Sequence, residues 1–430
     1  MAPKLERFVS PGKGNGVRAT VAVRSGALLA AAEPLACCVS SRHSASVCHR
    51  CFTRRDTLSR CSSCKFAHYC NVTCQTAAWP GHKRECRCLR RLLPRVPTDA
   101  VRLSARLVFA LSSPDESRPE DLYPLEEHLS HLTSMSQQKR EGLSLLASML
   151  QLYLQPEEGH LSALPTPCQD PLELVAKVSC NCFTISDEEL QEVGVGLYPS
   201  FSLLNHECRP NCALMFEGPR AQLRAVRDLR PGEELTISYI ETLLDSQGRQ
   251  KQLQEQFHFS CRCSRCQSTD SDQLLLSGPQ SSWSSLREQL RSLEQLKSQC
   301  NWAALRHACR TLLSGAGADL PQENVFKLRV TDLALDAAVQ LQLWEEAAAL
   351  GEETLPAYRK HFPDPHPVLG LQLLRVARLQ HHLGRLQEAL GTFGQAFQVV
   401  RVTHGGEAPL AADLLTRVEE CRRELERPHQ

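Results

Sequence analysis

Four closely spaced pairs of potential metal ligands constrain this chain more than any other sequence feature. They lie within 39 positions: Cys48 and Cys51, Cys61 and Cys64, Cys70 and Cys74, and His82 and Cys86. Zinc prefers four soft ligands in a tetrahedron, and a Cys-x2-Cys spacing lets one turn supply two of them. Eight ligands predict two structural zinc sites with no position open for catalysis. A module of about 40 residues builds little core, so the metal must supply folding energy.

The order of these pairs favours an interleaved arrangement. In it, Cys48, Cys51, Cys70 and Cys74 bind one ion, and Cys61, Cys64, His82 and Cys86 bind the other. A sequential arrangement, in which neighbouring pairs along the chain share an ion, stays open on sequence alone.

The bulk composition indicates a soluble, intracellular protein. The chain has 430 residues, 21 cysteines and a formal net charge of +1, which allows a large core and two or three domains. Its N-terminus lacks a signal-peptide pattern, and no stretch approaches the ~18 apolar residues that a membrane span needs. In a reducing compartment, clustered cysteines bind metal more often than they form disulfides.

The cysteine-rich region is strongly basic although the whole chain is near neutral. Residues 48–95 contain eleven Lys or Arg but only Asp56 and Glu85, a net charge of +9. This surface is suited to nucleic acid or acidic partners. A solvated basic face that serves only solubility is the equal alternative.

A second polar cluster lies between apolar runs at residues 205–212. This stretch, Asn-His-Glu-Cys-Arg-Pro-Asn-Cys, places polar groups in a segment that we expect to cross the interior. Such groups need specific partners, because burying them unpaired costs roughly a few kcal/mol each. Further on, Cys261, Cys263 and Cys266 need a fourth metal ligand. Cys208 is the natural donor, with Cys212 as the competitor.

Hydrophobic periodicity predicts mixed structure before residue 270. Gly12–Ala19 is expected to form a glycine-rich turn, followed by a strand at Thr20–Val23. Further strands are expected at Ala221–Val226 and Leu235–Tyr239. Apolar residues at three- and four-residue spacing predict helices at 101–111, 122–132, 141–154 and 170–178, with proline-rich joints at 114–119 and 165–171.

The C-terminal region predicts a helical repeat. Asp270–Ser285 is rich in Ser and Gln and is interpreted as a linker. Trp302, Trp344 and Leu386 then recur at intervals of 42 residues in similar helical patterns. This period indicates helix pairs of tetratricopeptide type, which form a curved peptide-binding surface. A plain stabilising helical bundle is the alternative.

Three motifs together resemble a known enzyme family. The Asn205–Asn211 motif, followed by Gly-Glu-Glu-Leu-Thr-Ile-Ser-Tyr at 232–239, resembles the SET domain of lysine methyltransferases. The Cys-x-Cys-x2-Cys at 261–266 resembles a post-SET zinc site. The paired cysteines, with Tyr69 and the Trp-Pro-Gly-His-Lys run at 79–83, resemble a MYND zinc finger. This order of parts is similar to the SMYD family.

The resemblance implies an α+β protein: a split SET-type β-fold with an inserted MYND zinc finger and a helical insert, a cysteine-rich post-SET zinc site, and a C-terminal all-α tetratricopeptide-like repeat. The implied segments are 1–47 for the N-terminal part of the SET domain, 48–86 for the finger, 87–179 for the helical insert, 180–240 for the core SET domain, 241–270 for the post-SET segment and 271–430 for the helical tail.

The family also implies the reaction and its residues. It transfers a methyl group from S-adenosyl-L-methionine to lysine side chains. Tyr239 matches the catalytic tyrosine, and Phe183 and Phe257 match the walls of the lysine channel. The implied donor-binding residues are Lys13, Gly14, Asn15, Tyr123, Asn181, Asn205, His206, Tyr239 and Phe259. The third of three structural zinc ions is assigned to Cys208, Cys261, Cys263 and Cys266. Members of the family carry tyrosine at the position of Phe257, and loss of that hydroxyl changes the number or rate of methyl additions.

The implied partners are histone (H3/H4-type) and non-histone proteins, with roles in chromatin, transcription and signalling, in nucleus and cytoplasm. The finger is expected to bind proline-rich peptides, the tail to lie over the catalytic cleft, and the chain to be monomeric. The rival reading is a non-catalytic adapter with a vestigial SET core. The presence of Tyr239, Asn205 and His206 argues against such a loss of catalytic function.

Overall fold

The computed structural model describes residues 4–112, 123–155, 169–362 and 365–426. The predicted proline-rich joint at 114–119 and most of the one at 165–171 lie outside these ranges. The strands are β1 (Leu5–Ser10), β2 (Gly14–Ala19), β3 (Leu28–Ala32), β4 (Ala36–Val39), β5 (Ser59–Arg60), β6 (His68–Tyr69), β7 (Cys182–Ser186), β8 (Glu192–Leu197), β9 (Asn205–His206), β10 (Cys212–Glu217), β11 (Arg220–Ala225) and β12 (Thr236–Ile237).

The helices fall into an N-terminal and a C-terminal set. The first set is α1 (Val72–Leu92), α2 (Asp99–Leu111), α3 (Gln137–Leu154), α4 (Pro171–Asn181), α5 (Ser246–Phe257), α6 (Ser264–Gln267) and α7 (Asp270–Leu275). The second set is α8 (Gln280–Ser298), α9 (Trp302–Ser314), α10 (Val325–Gln340), α11 (Trp344–His361), α12 (Pro367–His382), α13 (Leu386–Thr403) and α14 (Pro409–Glu426).

Strands from both sides of the cysteine-rich module share sheets, so the β-fold is split as predicted. β3 pairs antiparallel with β11, which pairs with β10. β4 pairs antiparallel with β8, which pairs with β7. The apolar faces of these small sheets enclose one core cluster that includes Val17, Ile185 and Leu223. Residues 40–181 therefore form an insertion between strands of a single β-fold.

The N-terminal hairpin differs from its prediction. Gly14–Ala19 is not a turn but strand β2, which pairs with β1 from Leu5↔Ala19 to Ser10↔Gly14. The turn is confined to residues 11–13, where Gly12 has a φ of 74°, and Gly14, the first residue of β2, has a φ of 79°. The predicted strand at Thr20–Val23 is wrong. Only Val23 makes a bridge there, with Leu229.

Three of the four helices expected in the insert are present. α1, α3 and α4 pack around α2, and their shared core includes Leu89, Leu107 and Leu150. The predicted helix at 122–132 is wrong over its described residues, which hold only short 3-10 turns. Lys177 Nζ donates to the carbonyls of Leu125 (3.3 Å) and Glu126 (2.9 Å), so these carbonyls are not used by an α-helix.

The tail is a stack of helix pairs. Trp302, Trp344 and Leu386 each begin the second helix of a pair, which confirms the 42-residue repeat. The middle residue of the preceding turn has a positive φ each time: Cys300 (54°), Gln342 (59°) and Gly384 (71°). The predicted linker at Asp270–Ser285 is wrong, since it contains α7 and the start of α8. Its polar composition misled because much of α8 faces outward.

Candidate active site and zinc centres

The cysteines of the finger form two interleaved ligand clusters. Cys48, Cys51, Cys70 and Cys74 form one, and Cys61, Cys64, His82 and Cys86 form the other, with ligand atoms within 4.8 Å of one another in each. The sequential alternative is therefore wrong. Antiparallel pairing of β5 with β6, Ser59↔Tyr69, brings the middle of the module together. Helix α1 then carries Cys74, His82 and Cys86, and continues past the predicted boundary at residue 86.

The ligand spacings fit zinc. Sγ of Cys51 lies 3.7 Å from Sγ of Cys70, and Sγ of Cys61 lies 3.8 Å from Sγ of Cys86. Four sulfur ligands at about 2.3 Å from a tetrahedral zinc are separated by about 3.8 Å, whereas disulfide sulfurs are about 2.05 Å apart. The atoms are thus too far apart for disulfides and correctly spaced for one ion.

The third cluster joins residues far apart in the chain. Cys208, Cys261, Cys263 and Cys266 converge, with Sγ of Cys208 3.5 Å from Sγ of Cys266. Cys212, the competitor, is instead buried in the core of the SET sheets. These ligands belong to one apolar cluster with Tyr239, Phe257 and Phe259. The same small core therefore holds a metal site and the predicted lysine channel.

The polar run at 205–212 is held by backbone pairing and by Asn211. β9 and β12 pair in parallel, Asn205 with Thr236 and His206 with Ile237. Asn211 Oδ1 accepts from Thr236 N (2.8 Å), and its Nδ2 donates to Glu234 O (2.8 Å). Asn211 is only 4% exposed, so these bonds satisfy the buried amide whose partners the sequence did not reveal.

Asn205 ties the N-terminal loop to this crossing. Its Nδ2 donates to Asn15 O (3.1 Å) and to Glu234 Oε1 (2.8 Å). The other carboxylate oxygen of Glu234 pairs with Lys13 Nζ at 3.1 Å. Glu234 was missed as a site residue, although it lies in the Gly-Glu-Glu run that carried the resemblance. The loop at 13–15 is therefore fixed by both its backbone and its charge.

His206 connects the third cluster to Tyr239. Tyr239 N donates to His206 Nδ1 at 3.0 Å, and His206 Nε2 lies 3.3 Å from Sγ of Cys208. Burial lowers the pKa of His206 to about 4, so the ring is neutral at pH 7. Since Nδ1 accepts the backbone hydrogen bond, the proton resides on Nε2 and points to the sulfur.

Aromatic side chains surround Tyr239. The ring centroids of Tyr239 and Phe257 are 4.8 Å apart, and Phe259 meets Tyr239 edge-on at 6.3 Å. The Tyr239 hydroxyl donates to Leu204 O. Burial raises the pKa of Tyr239 above its usual range, so the phenol stays protonated. The arrangement gives a fixed hydroxyl in an apolar channel.

One cavity of about 1890 Å³ is lined by every predicted donor-binding and channel residue: Lys13, Gly14, Asn15, Tyr123, Asn181, Phe183, Asn205, His206, Tyr239, Phe257 and Phe259. Two of these come from the insert side. Tyr123 OH donates to Glu127 O (2.7 Å), and Asn181 Nδ2 donates to Leu129 O (3.1 Å). The split β-fold and the insert thus meet at a single site.

The tail forms a wall of this cavity that the sequence did not place residue by residue. Its lining includes Arg329, Asp332, Tyr358, His361, Phe362 and His366. Arg329 Nη2 pairs with Glu241 Oε1 at 2.8 Å, two residues after Tyr239. Burial raises the pKa of Asp332 to about 6. A helical repeat gives no sequence signal for which face meets another domain, so these residues were missed.

The amino-acid sequence of this chain is similar to a known domain family and to several known proteins. A family model described as the SET domain matches residues 14–240. Human histone-lysine N-methyltransferase SMYD3 is 44% identical over 97% of this chain and 97% of its own length. Human N-lysine methyltransferase SMYD2 is 32% identical over 96% and 98%, and human SMYD1 is 30% identical over 95% and 88%.

Proposed function

We propose that this chain, which belongs to the SMYD family of SET-domain proteins, is a protein-lysine N-methyltransferase that uses S-adenosyl-L-methionine. The observation that carries the proposal is the single cavity in which the fixed hydroxyl of Tyr239, the aromatic channel and the polar loop at 13–15 meet. Relatives that match nearly the whole chain bear histone-lysine and N-lysine methyltransferase names. Histone and non-histone lysines are therefore the substrate class.

The channel's role is to receive lysine as a neutral amine. Lysine ionises near pKa 10.4, so the proton must leave before the nitrogen lone pair attacks. Phe183, Phe257 and Tyr239 replace water around the nitrogen, and this desolvation lowers the pKa of the amine. The donor supplies a methyl group on a sulfonium centre; its carbon–sulfur bond breaks as the carbon–nitrogen bond forms. The channel walls hold the amine in line for that displacement.

Tyr239 orients the acceptor. Because its hydroxyl hydrogen is directed to Leu204 O, the oxygen lone pairs are available to accept a hydrogen bond from the amine. The raised pKa keeps the phenol from ionising at neutral pH. Removing only the hydroxyl should therefore reduce transfer while leaving donor binding in place.

The donor is assigned to the polar end of the cavity. Lys13, Gly14 and Asn15 form one side, with Asn181, Asn205 and His206 as the floor and Tyr123 and Phe259 as aromatic neighbours. Both amide hydrogens of Asn205 are used inside the protein, so its contact to the donor comes from its carbonyl oxygens. Three structural zinc ions are assigned to the three ligand clusters, two in the finger and one behind the channel.

The activity is tested with labelled methyl donor and a panel of histone and non-histone substrates. Wild type should transfer label, and Tyr239→Phe should lose at least about a hundredfold in rate. Binding of S-adenosylhomocysteine by calorimetry should be the same in both proteins. If both are equally inactive while the ligand still binds, the chain is an adapter and the enzymatic proposal fails.

Phe257 bears on how many methyl groups are added. Its ring lies beside Tyr239 and brings no hydroxyl to the channel, where the family carries tyrosine. A second channel hydroxyl would hydrogen-bond a partly methylated amine and hold it out of line. Phe257→Tyr is therefore expected to shift products toward fewer methyl groups, as read by mass spectrometry of a peptide substrate. An unchanged distribution would contradict this role.

We also propose that the basic surface of the finger binds nucleic acid. Lys83, Arg87 and Arg90 are exposed on one face of α1, whereas Glu85 is buried against Arg102 and does not offset them. Binding of duplex DNA should weaken steeply with salt, with a logarithmic slope near −0.9 per phosphate contact. A triple Gln variant of these residues should reduce that slope by about three. Equal DNA binding by the variant and the wild type would contradict the proposal and indicate a solvated basic face that serves only solubility.

The finger is also proposed to bind proline-rich peptides. Trp79 is 43% exposed and offers the kind of aromatic surface on which polyproline segments dock. Trp79→Ala should abolish binding of a proline-rich peptide without changing zinc content. The chain is expected to act as a monomer in nucleus and cytoplasm. Among the described residues, no helix combines the length and apolarity required to cross a membrane.

A further inference from the structure

Arg249 is a fully buried cation beside the third cysteine cluster. It lies on α5, exposes 0% of its surface, and places Nη2 3.8 Å from Sγ of Cys266. The same guanidinium donates to Ser246 Oγ (2.8 Å) and to Arg265 O (3.4 Å). Burying a charge costs free energy unless an opposite charge lies near. A negative charge is therefore expected close to Arg249.

The carboxylates nearby are too few for the buried cations. Arg265 is a second one, 6% exposed, and it donates to the backbone oxygens of Cys208 (3.4 Å) and Thr242 (2.7 Å). Asp272 approaches Arg249 Nη1 at 3.7 Å. Two arginines and one carboxylate leave a net positive charge. Four thiolates on one Zn²⁺ carry a net charge of about −2, which supplies the missing negative charge.

In the finger, the positive charge of the buried arginine is balanced in a different way. Its buried arginine, Arg102, pairs with Glu85 at 3.0 Å and with Asp99 at 3.5 Å, and Arg106 pairs with the other oxygen of Glu85 at 2.7 Å. Two carboxylates therefore balance these two cations without any contribution from the cysteines. At the third cluster one carboxylate faces two buried arginines, so the remaining negative charge must come from the zinc–cysteine cluster.

We propose that Arg249 is a positioning residue for the post-SET zinc: its buried positive charge lies against the negatively charged zinc–cysteine cluster and slows release of the metal. The proposal rests on the zinc assignment made under the proposed function. Helix α5, which carries Arg249, ends at Phe257, so the same charge also steadies the wall of the lysine channel.

The test is zinc release from the full-length, zinc-loaded protein into an excess of a colorimetric chelator. In Arg249→Gln, one of the three ions should leave at least about tenfold faster than in wild type, as expected for loss of a group that supports metal ligands. Arg249→Lys keeps the charge and should stay within about threefold of wild type. Arg262→Gln is the matched control, because Arg262 is exposed between two ligand cysteines.

Several outcomes would overturn the proposal. Unchanged release in the Gln variant would do so, as would equally fast release in the Gln and Lys variants, which indicates packing rather than charge. If the Gln variant does not fold, the Lys variant decides: release within threefold of wild type agrees, and tenfold faster release contradicts. A wild-type protein with fewer than three zinc ions refutes the zinc assignment instead, and this count is made first.

Discussion

The finger clusters and the post-SET cluster use similar ligands but have different consequences. The finger takes its eight ligands from residues 48–86, and its metal substitutes for a core that so short a segment lacks. The post-SET cluster joins Cys208 to cysteines more than fifty residues later. The first kind of site folds a module, whereas the second fixes the relative position of two segments that form a catalytic channel.

The post-SET cluster also has a hydrogen-bonded route to the reacting residue. His206 bridges Sγ of Cys208 and the backbone of Tyr239, at 3.3 and 3.0 Å. The helix between the two halves of the cluster ends at Phe257. Damage to this site should therefore reach the chemistry directly, while damage to the finger should remain local.

Complete metal removal is expected to have the largest effect. Treatment with a strong chelator should release three zinc ions per chain and abolish methyl transfer, since structural zinc contributes on the order of 10 kcal/mol to folding of such modules. Hydrogen exchange should rise across residues 48–71 and 261–266 but remain slow in α8–α14. Protection that persists in the finger after full metal loss would contradict this expectation.

Asn211 and Asn71 form a second pair that separates the two regions. Asn211→Ala leaves Thr236 N and Glu234 O without their buried partner and should cost about 3 kcal/mol. Asn71 caps α1 by accepting from Cys74 N at 3.0 Å, so Asn71→Ala should cost about 1 kcal/mol. Urea unfolding measures both, and equal costs would indicate that the crossing at 211 is no more tightly held than a helix end.

Two glycines provide the smallest contrast. A Cβ at Gly16 would lie 3.0 Å from both Asn205 Nδ2 and Glu234 Oε1, so Gly16→Ala should destabilise by about 1–2 kcal/mol and weaken donor binding. At Gly81, inside α1, the nearest atom would be 3.9 Å away. Gly81→Ala should stabilise by about 0.5–1 kcal/mol. Opposite signs in thermal unfolding support the contrast, and a neutral Gly16→Ala would contradict it.

Sequence patterns were sufficient where contacts are local or a motif is specific. The finger ligands and the repeat at Trp302, Trp344 and Leu386 were predicted because spacing alone encodes them. The strand at 20–23 and the helix at 122–132 were predicted wrongly from local apolar pattern. At the first place, the strand forms earlier in the chain because residues 14–19 pair with β1 in a hairpin. At the second, the distant Lys177 binds the carbonyls at 125 and 126.

The site was predicted only in part, for the same reason. The residues that line the cavity from the SET motifs followed from the family resemblance. The tail wall at Arg329, Asp332 and Tyr358 did not, because which face of a repeat packs on a cleft depends on docking between domains. Likewise, the partners of Asn211 lie more than twenty residues away in β12 and the turn before it, where no spacing rule applies.

The most direct test of the coupling compares Cys208→Ser with Cys48→Ser, with zinc content and methyl transfer measured on the same samples. Each variant should hold two zinc ions instead of three. Cys208→Ser should lose at least about a hundredfold in transfer rate, because the channel loses its metal support. Cys48→Ser should stay within about threefold of wild type on a short peptide substrate. A Cys208→Ser protein that lacks one zinc and keeps full activity would contradict the account.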